Sequence, residues 1–222
     1  MCGILWYFTL MHDLGELASI WRYPVKSLAA EPLERTAVQA DGIPGDRAGA
    51  LFVRSGHART GKTFRGKEHN LLHTVHEAGP AMAIASRSGV ELELREEQRH
   101  YFDDAPISLI FDCWIAEVER SLETPLDPRR WRPNFYARAA AGFTLQEPDL
   151  LDRVIEIGGA VLRVRDTIKR CVTTTYDIET GERDDDVLLY VAQKRANVMG
   201  VYCEVELAGT VRVGDVLRLR ER

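Results

Sequence analysis

Cys171 is the residue best placed for chemistry with a soft metal. It follows Lys169 and Arg170 directly and precedes Val172, three threonines and Tyr176-Asp177. A thiolate is the side chain suited to a thiophilic metal, and it needs positive charge nearby to be populated near neutral pH. Strand alternation would turn Lys169 and Cys171 to one face, with Arg170 serving the other or sitting at a strand end. A packed strand cysteine beside surface charge fits the same residues, and local chemistry alone does not separate the two. A second set of residues suits an anion. Arginine forks match phosphate oxygens bidentately and lysine supplies a point charge. Lys26 with Ser27, the run of Arg59, Lys62, Arg65 and Lys67, and Arg132 with Asn134 are the available donors. Asn134 adds both a donor and an acceptor for the edge of a planar ligand.

Other reactive types point elsewhere. Cys2, Cys113, Cys171 and Cys203 are far apart, with no CxxC pair, so a zinc ribbon or thioredoxin-type site has no support. Cys113 and Cys203 lie in apolar runs and are expected to be buried packing residues. His69, His73 and His76 do not share one strand face, which argues against a histidine metal site. Asp46-Arg47 is expected to tie two turns together. Asp177 is expected to cap a turn and to stand near the metal as an acid.

These side chains must be carried by short strands. Leu17 to Trp21 reads as a strand, and Pro24 holds the chain extended so that Lys26 and Ser27 fall at a strand end or turn. Leu33 to Ala40 alternates; 42–47 is a turn cluster and 48–53 another strand. Gly56 to Gly66 reads as a basic loop. Leu71 to Val75 and Ala81 to Ser86 alternate, with Val90 to Leu94 as a hairpin partner. A helix-like run opens at Asp104-Ala105-Pro106-Ile107, where proline suits a first turn, and prolines 125, 128 and 133 punctuate an irregular link. Residues 155–157, Gly158-Gly159 and 160–165 form a hairpin. Residues 188–195 have helical spacing, and 202–217 reads as a closing β meander. The fold class is mainly β with peripheral helices (α+β), a β-barrel preceded by an N-terminal β-barrel-like region. The expected division is an N-terminal extension over 1–16, a β region over 17–100 and a barrel core over 101–222.

Composition sets the class. With 222 residues, 45% hydrophobic and 28% charged, the chain is that of an ordinary globular protein. A net charge of −5 argues against nucleic-acid or anionic-membrane partners, yet leaves room for an anionic ligand in a local basic pocket. The apolar start MCGILWYFTL has no basic residue and is too short for a signal peptide or membrane span. It reads as an extra strand, a tail, or sequence upstream of a true start at Met11. A cytoplasmic protein with reduced thiols is expected.

Several segments, in this order, resemble the MOSC family. Tyr23-Pro24-Val25-Lys26-Ser27-Leu28, Asp41-Gly42-Ile43 and Asp46-Arg47 resemble its N-terminal β-barrel signature. Arg132-Pro133-Asn134 is similar to its RPN element, and Arg170-Cys171 through Asp177 with Thr180-Gly181 to its cysteine motif. Gly200-Val201-Tyr202 and Val213-Gly214-Asp215 resemble the closing strands. The resemblance implies a molybdenum cofactor, a phosphate-bearing pterin, with Cys171 as metal ligand and catalytic residue. It implies cofactor contacts from Lys26, Ser27, Arg132, Asn134, Arg170 and Asp177. Relatives carry Thr-Ala-Arg-Gln where this chain has Arg59-Thr60-Gly61-Lys62, so Lys62 is the expected counterpart, with Arg59 and Arg65 as alternatives. Similarity to the amidoxime-reducing members implies two-electron reduction of small N-hydroxylated compounds. No clustered cysteines and no GxGxxG are present, and no flavin, haem, iron–sulfur or pyridoxal phosphate site is recognisable. Electrons would then come from an external electron-transfer protein. A non-catalytic carrier of cofactor or sulfur fits the same motifs. Separately, Met1-Cys2-Gly3-Ile4 resembles the start of class II glutamine amidotransferases, with Cys2 as N-terminal nucleophile. That reading ranks lower because Asn70 is followed by leucine, not by the glycine that family needs.

Overall fold

The computed structural model describes residues 11–96 and 100–220; Cys2 and the apolar start 1–10 lie outside them. The described strands and helices, in chain order, are β1 (Met11–Arg22), β2 (Glu31–Leu33), β3 (Arg35–Val38), β4 (Gly49–Gly56), α1 (Ala78–Arg87), β5 (Val90–Glu96), β6 (Ile107–Phe111), α2 (Asp112–Leu122), β7 (Phe135–Ala139), β8 (Val154–Ile157), β9 (Ala160–Lys169), α3 (Asp185–Lys194), β10 (Val198–Leu207), β11 (Gly209–Arg212) and β12 (Val216–Arg220). Seven of the strands close a ring. The order β12-β8-β9-β10-β6-β7-β1 is completed by pairing of β1 with β12, and β2 hangs on β1. All neighbours are antiparallel except β6 and β7. The mainly β expectation with few helices therefore holds, and full closure removes the exposed edges that an open sheet would have.

Local signals were readable where the element is local. The Gly158-Gly159 turn joins β8 and β9 as a hairpin. α3 has the expected spacing: Val187 and Val191 are fully buried, and the Asp184 side chain accepts from the Asp186 amide at its start.

Five readings are corrected by the structure. The run after Pro106 is strand before it is helix. All five residues of β6 are buried, because it lies between β10 and β7 with the barrel interior on one face and covering elements on the other. Such a strand has no period of two to betray it. The helix follows as α2, which buries Trp114, Ile115 and Val118. Ala81 to Ser86 belongs to α1, and β5 pairs with β4 instead. Leu71 to Val75 is mostly a short 3₁₀ turn, Asn70–Thr74. β1 is longer than 17–21, because its first half is held by β12. The closing meander is no meander: β10 pairs with β9 and β6, β11 with β3, and β12 with β8 and β1.

The main core fills the barrel and the inner faces of α2 and α3, with Phe111, Trp114, Trp131 and Phe135 its largest members. A smaller core joins β4, β5 and α1 around Leu51, Phe64, Leu72 and Val90. The chain between β1 and β2 runs along this second core through Val25 and Leu28. That placement brings Lys26 and Ser27 against the barrel. No helix among the described residues is long and apolar enough to cross a membrane.

Candidate functional site

A cleft of about 280 Å³ opens where the segment after β1 meets the barrel. Its floor comes from three backbone segments. The first leaves β1 at Tyr23. Pro24 donates no hydrogen bond, its carbonyl accepts from Gly49, and the Lys26 amide donates to the Gly49 carbonyl at 2.8 Å. Ser27 then takes the left-handed conformation (φ 76°) and is buried in the cleft wall. Lys26 Nζ is ion-paired with Asp103, the one carboxylate among the described lining residues. That ammonium holds the Asp103 carboxyl below its usual range against the opposing effect of burial.

The second segment is a 3₁₀ turn, Pro128–Trp131, ending in Arg132 with left-handed backbone (φ 54°). Arg132 Nη1 donates to the Leu28 carbonyl at 2.8 Å and approaches His73 Nδ1 at 3.3 Å. Its guanidinium and that of Arg47 stand 4.3 and 4.7 Å from the Tyr23 ring centre. Burial pushes Arg132 down to about 10 and Tyr23 up to about 12, so at neutral pH the one stays charged and the other neutral.

The third segment carries Cys171. β9 ends at Lys169, the extended pairing stops, and Lys169, Arg170 and Cys171 all face the cleft instead of alternating. Arg170 is clamped from both sides. Its Nε donates to the Met199 carbonyl at 2.7 Å and Nη1 to the Trp131 carbonyl at 2.8 Å. Burial lowers it to about 10, still charged at neutral pH. Gly200 makes room: its φ is 90°, and a Cβ there would sit 3.0 Å from the Leu109 carbonyl and 3.2 Å from Arg170 Nη2. Cys171 itself is exposed, with Sγ 3.2 Å from Thr173 Oγ1. Cys203 is fully buried and Cys113 half-buried; burial pushes their thiols up to about 12 and about 11.

Lys26, Ser27, Arg132, Arg170 and Cys171, distant in sequence, thus meet on one surface. Three other expected residues do not. Lys62 is an exposed turn residue whose carbonyl accepts from the Val53 amide. The basic loop sends Arg65 and Lys67 into the cleft instead. The resemblance that suggested Lys62 does not fix which basic residue turns inward; the Gly66–Glu68 turn does, and its Gly66 lies so close to His73 that a Cβ would fall 2.3 Å from Cε1. Asn134 is 1% exposed and sits behind the cleft. It accepts from Ser108 N and Oγ at 3.1 and 3.0 Å and donates to the Trp21 carbonyl at 3.3 Å, locking β1, β6 and β7 together. Asp177 caps a turn away from the cleft. It accepts from the Thr180 and Glu179 amides at 2.9 Å each, and these amides keep its carboxyl below the usual range. Asp46-Arg47 does tie turns: Asp46 accepts from the Tyr23 amide at 2.8 Å, and Arg47 reaches the Arg132 carbonyl at 3.2 Å.

The sequence offers His73 only as one of three histidines that share no strand face, and no residue spacing marks it for the cleft. It is 4% exposed, stacks on Tyr176 at 5.9 Å, and is pushed down to about 3 by burial and then by Arg132. Since Nδ1 faces a guanidinium donor, the proton belongs on Nε2. Among the described residues, three buried N–H groups of the cleft wall have no hydrogen-bond partner: Arg65 Nε, Trp131 Nε1 and His73 Nε2. Gly66 lies beside the last, close enough to favour its protonated form slightly but out of hydrogen-bond geometry.

Known proteins share both the fold and parts of the sequence. The chain is similar to the YuaD protein of Bacillus subtilis (TM-score 0.54, 16% identity, 97% of this chain and 100% of that one). It is also similar to YiiM of Geobacillus stearothermophilus (TM-score 0.50, 14% identity, 96% and 76%). At these identities the likeness is one of fold. Among curated sequences, mitochondrial amidoxime reducing component 2 of Homo sapiens is 27% identical over 128 residues, and its Bos taurus counterpart 25%. In both cases the match takes in 52% of this chain but only 37% of the relative's own length. Family models cover nearly all of the described chain: "MOSC N-terminal beta barrel domain" over 14–93 and "MOSC domain" over 96–218. With Arg132 and Cys171 inside the second match and Lys26 inside the first, the two halves that build the cleft are the two halves of one family architecture, and the chain belongs to the MOSC domain family.

Proposed function

We propose that the cleft holds a molybdenum cofactor through Cys171, and that the protein is an oxidoreductase acting on N-hydroxylated compounds. The observation that carries the reading is one exposed thiol at the mouth of a cleft walled by cations. Among the described lining residues, Lys26, Arg65, Lys67, Arg132, Lys169 and Arg170 outweigh the carboxylate of Asp103. The donor set fits the group. Its phosphate suits lysine and arginine, and the unpartnered N–H groups of Arg65, Trp131 and His73 suit an acceptor-rich ligand. When bound, the cofactor would supply the two-electron centre. The overall change, R–NHOH + 2 e⁻ + 2 H⁺ → R–NH₂ + H₂O, needs electrons from outside the chain, so a separate electron-transfer protein is part of the proposal. The relatives named as amidoxime reducing components support this substrate class.

Each residue has a physical task. Cys171 presents a soft ligand. Arg132 and Arg170 are fixed by backbone carbonyls at 2.8 Å, so their charges meet a ligand without first losing rotamer freedom. Asn134 and Asp46 act one layer behind, holding Ser108, Trp21 and Tyr23 in place. The division into a β region over 17–100 and a barrel core over 101–222 is proposed with it.

Cys171→Ser tests the reading at one atom. The change keeps volume but trades a soft ligand for a hard one. In protein from a molybdenum-replete host, metal content should fall to background and reduction of an N-hydroxylated base by reduced viologen should vanish. Pterin, held by the basic residues, should fall less and is assayed separately. Unchanged molybdenum in the variant would refute the assignment. Metal-loaded wild-type protein that reduces nothing with any donor would favour a carrier.

A further inference from the structure

We infer that Arg130 is a positioning residue that sets the Cys171 turn against the Arg132 turn. The inference rests on the proposed ligand role of Cys171. Cys171 opens a 3₁₀ turn, Val172–Thr175, closed by the Thr174 amide and hydroxyl on the Cys171 carbonyl at 3.0 Å each. A turn of this kind leaves carbonyls at its far end in need of donors. Arg130 provides them. Its side chain is 7% exposed, and Nη1 donates to the Thr174 carbonyl at 3.2 Å and the Thr175 carbonyl at 2.9 Å. Nη2 stands 3.7 Å from Asp177, the carboxylate that partly offsets the cost of burying the guanidinium.

A second link runs the other way. Arg170, just before Cys171, donates to the carbonyl of Trp131, just after Arg130. Each turn therefore sends one arginine to the other's backbone: Arg130 grips the turn after Cys171, and Arg170 grips the turn before Arg132. A single link would leave a hinge, whereas two crossing links fix distance and orientation together. No other described side chain donates to the carbonyls of Thr174 or Thr175; the Asp184 amide reaches Thr175 at 2.8 Å. Arg130 touches neither the thiol nor the open cleft, so its effect on Cys171 passes through this backbone.

Hydrogen–deuterium exchange of the peptide over 171–177 tests the inference on the full chain. It is read alongside molybdenum retained through gel filtration and the thiolate-to-metal absorption band. Arg130→Met should speed exchange in that peptide by about tenfold, the worth of one hydrogen bond to a charged group, and should lower molybdenum retention and shift the band. Arg130→Lys keeps the charge and one donor and should restore part of each. Arg129→Lys, on the same turn but paired with Asp127 and Glu179, should match wild type. If Arg130→Met does not fold, Arg130→Lys decides on the same peptide. Wild-type exchange at 171–177 in a folded Arg130 variant would overturn the inference. Wild-type protein without molybdenum would instead overturn the proposed function, and the exchange result would still judge Arg130.

Discussion

At the scale of single residues, His73 makes the pH dependence of stability specific. Unfolded, its imidazole titrates near 6.5; buried between Arg132 and Tyr176 it is pushed down to about 3. Between those values the unfolded chain binds the proton and the folded one does not, so acid favours unfolding. The contribution is intact above pH 6.5 and falls by about 1.4 kcal/mol per unit below it, or about 2 kcal/mol by pH 5. His73→Gln should therefore lose less melting temperature than wild type between pH 7.5 and 5.0, by about 4–8 °C. Equal losses in the two proteins would mean that His73 is not the group responsible. His73 also marks a limit of reading by motif. Lys26, Arg132 and Cys171 sit in short signatures, whereas His73 reaches the cleft through a 3₁₀ turn packed on Gly66. Arg65 and Lys67 lie in the basic run the sequence did reveal. Which of its members face inward depends on the turn at Gly66–Glu68, and charge alone does not encode that.

Among elements, the join between β10 and the Glu147–Leu150 turn is the one most exposed to a single change. Glu147 is 3% exposed, accepts from Arg195 Nη2 at 2.8 Å, and accepts from the Gly200 amide at 3.0 Å. It thereby fixes the Met199–Gly200 step whose carbonyl holds Arg170. Removing one partner of a buried pair costs about 3–5 kcal/mol; Arg195 keeps Glu117, so Glu147→Gln should cost about 3 kcal/mol by urea unfolding. A cost under about 1 kcal/mol would show that the pair is solvated in solution. Strength and legibility of elements go together only in part. The β8–β9 hairpin and α3 were readable because turn glycines and helical spacing are local. β6 was not, since burial on both faces erased its period. α1 reads as a strand because Ala81, Ala83 and Ala85 alternate with larger residues as a strand would.

The whole molecule depends on one closure. β1 pairs with β12 from Met11–Arg220 to Glu16–Val216, and with β7 and β2 further along. A chain beginning at Leu17 would lose the five residue pairs of that register, leaving a seven-stranded ring open. Its thermal transition should fall sharply or broaden, and a dye for exposed apolar surface should bind at room temperature. A sharp transition at the wild-type temperature would show that the barrel does not need this seam. The sequence points to a barrel but not to the strands that close it. Strand pairings between residues about 200 apart leave no local trace, and the closing strands looked like a meander because nothing in them names their partners.

That seam also sets an order of events during synthesis. β1 is made well before its partner β12, which ends at Arg220, and at 5–20 residues per second the interval is about 10–40 s. Over that time the first half of β1 has an unfilled side, while its second half, which leads to Lys26 and Ser27, can already pair with β7 beside Arg132. The cleft is therefore framed in part before the barrel closes, and closure fixes it once β12 has been made. A ligand that needs the closed barrel behind the cleft binds only after β12 has been made.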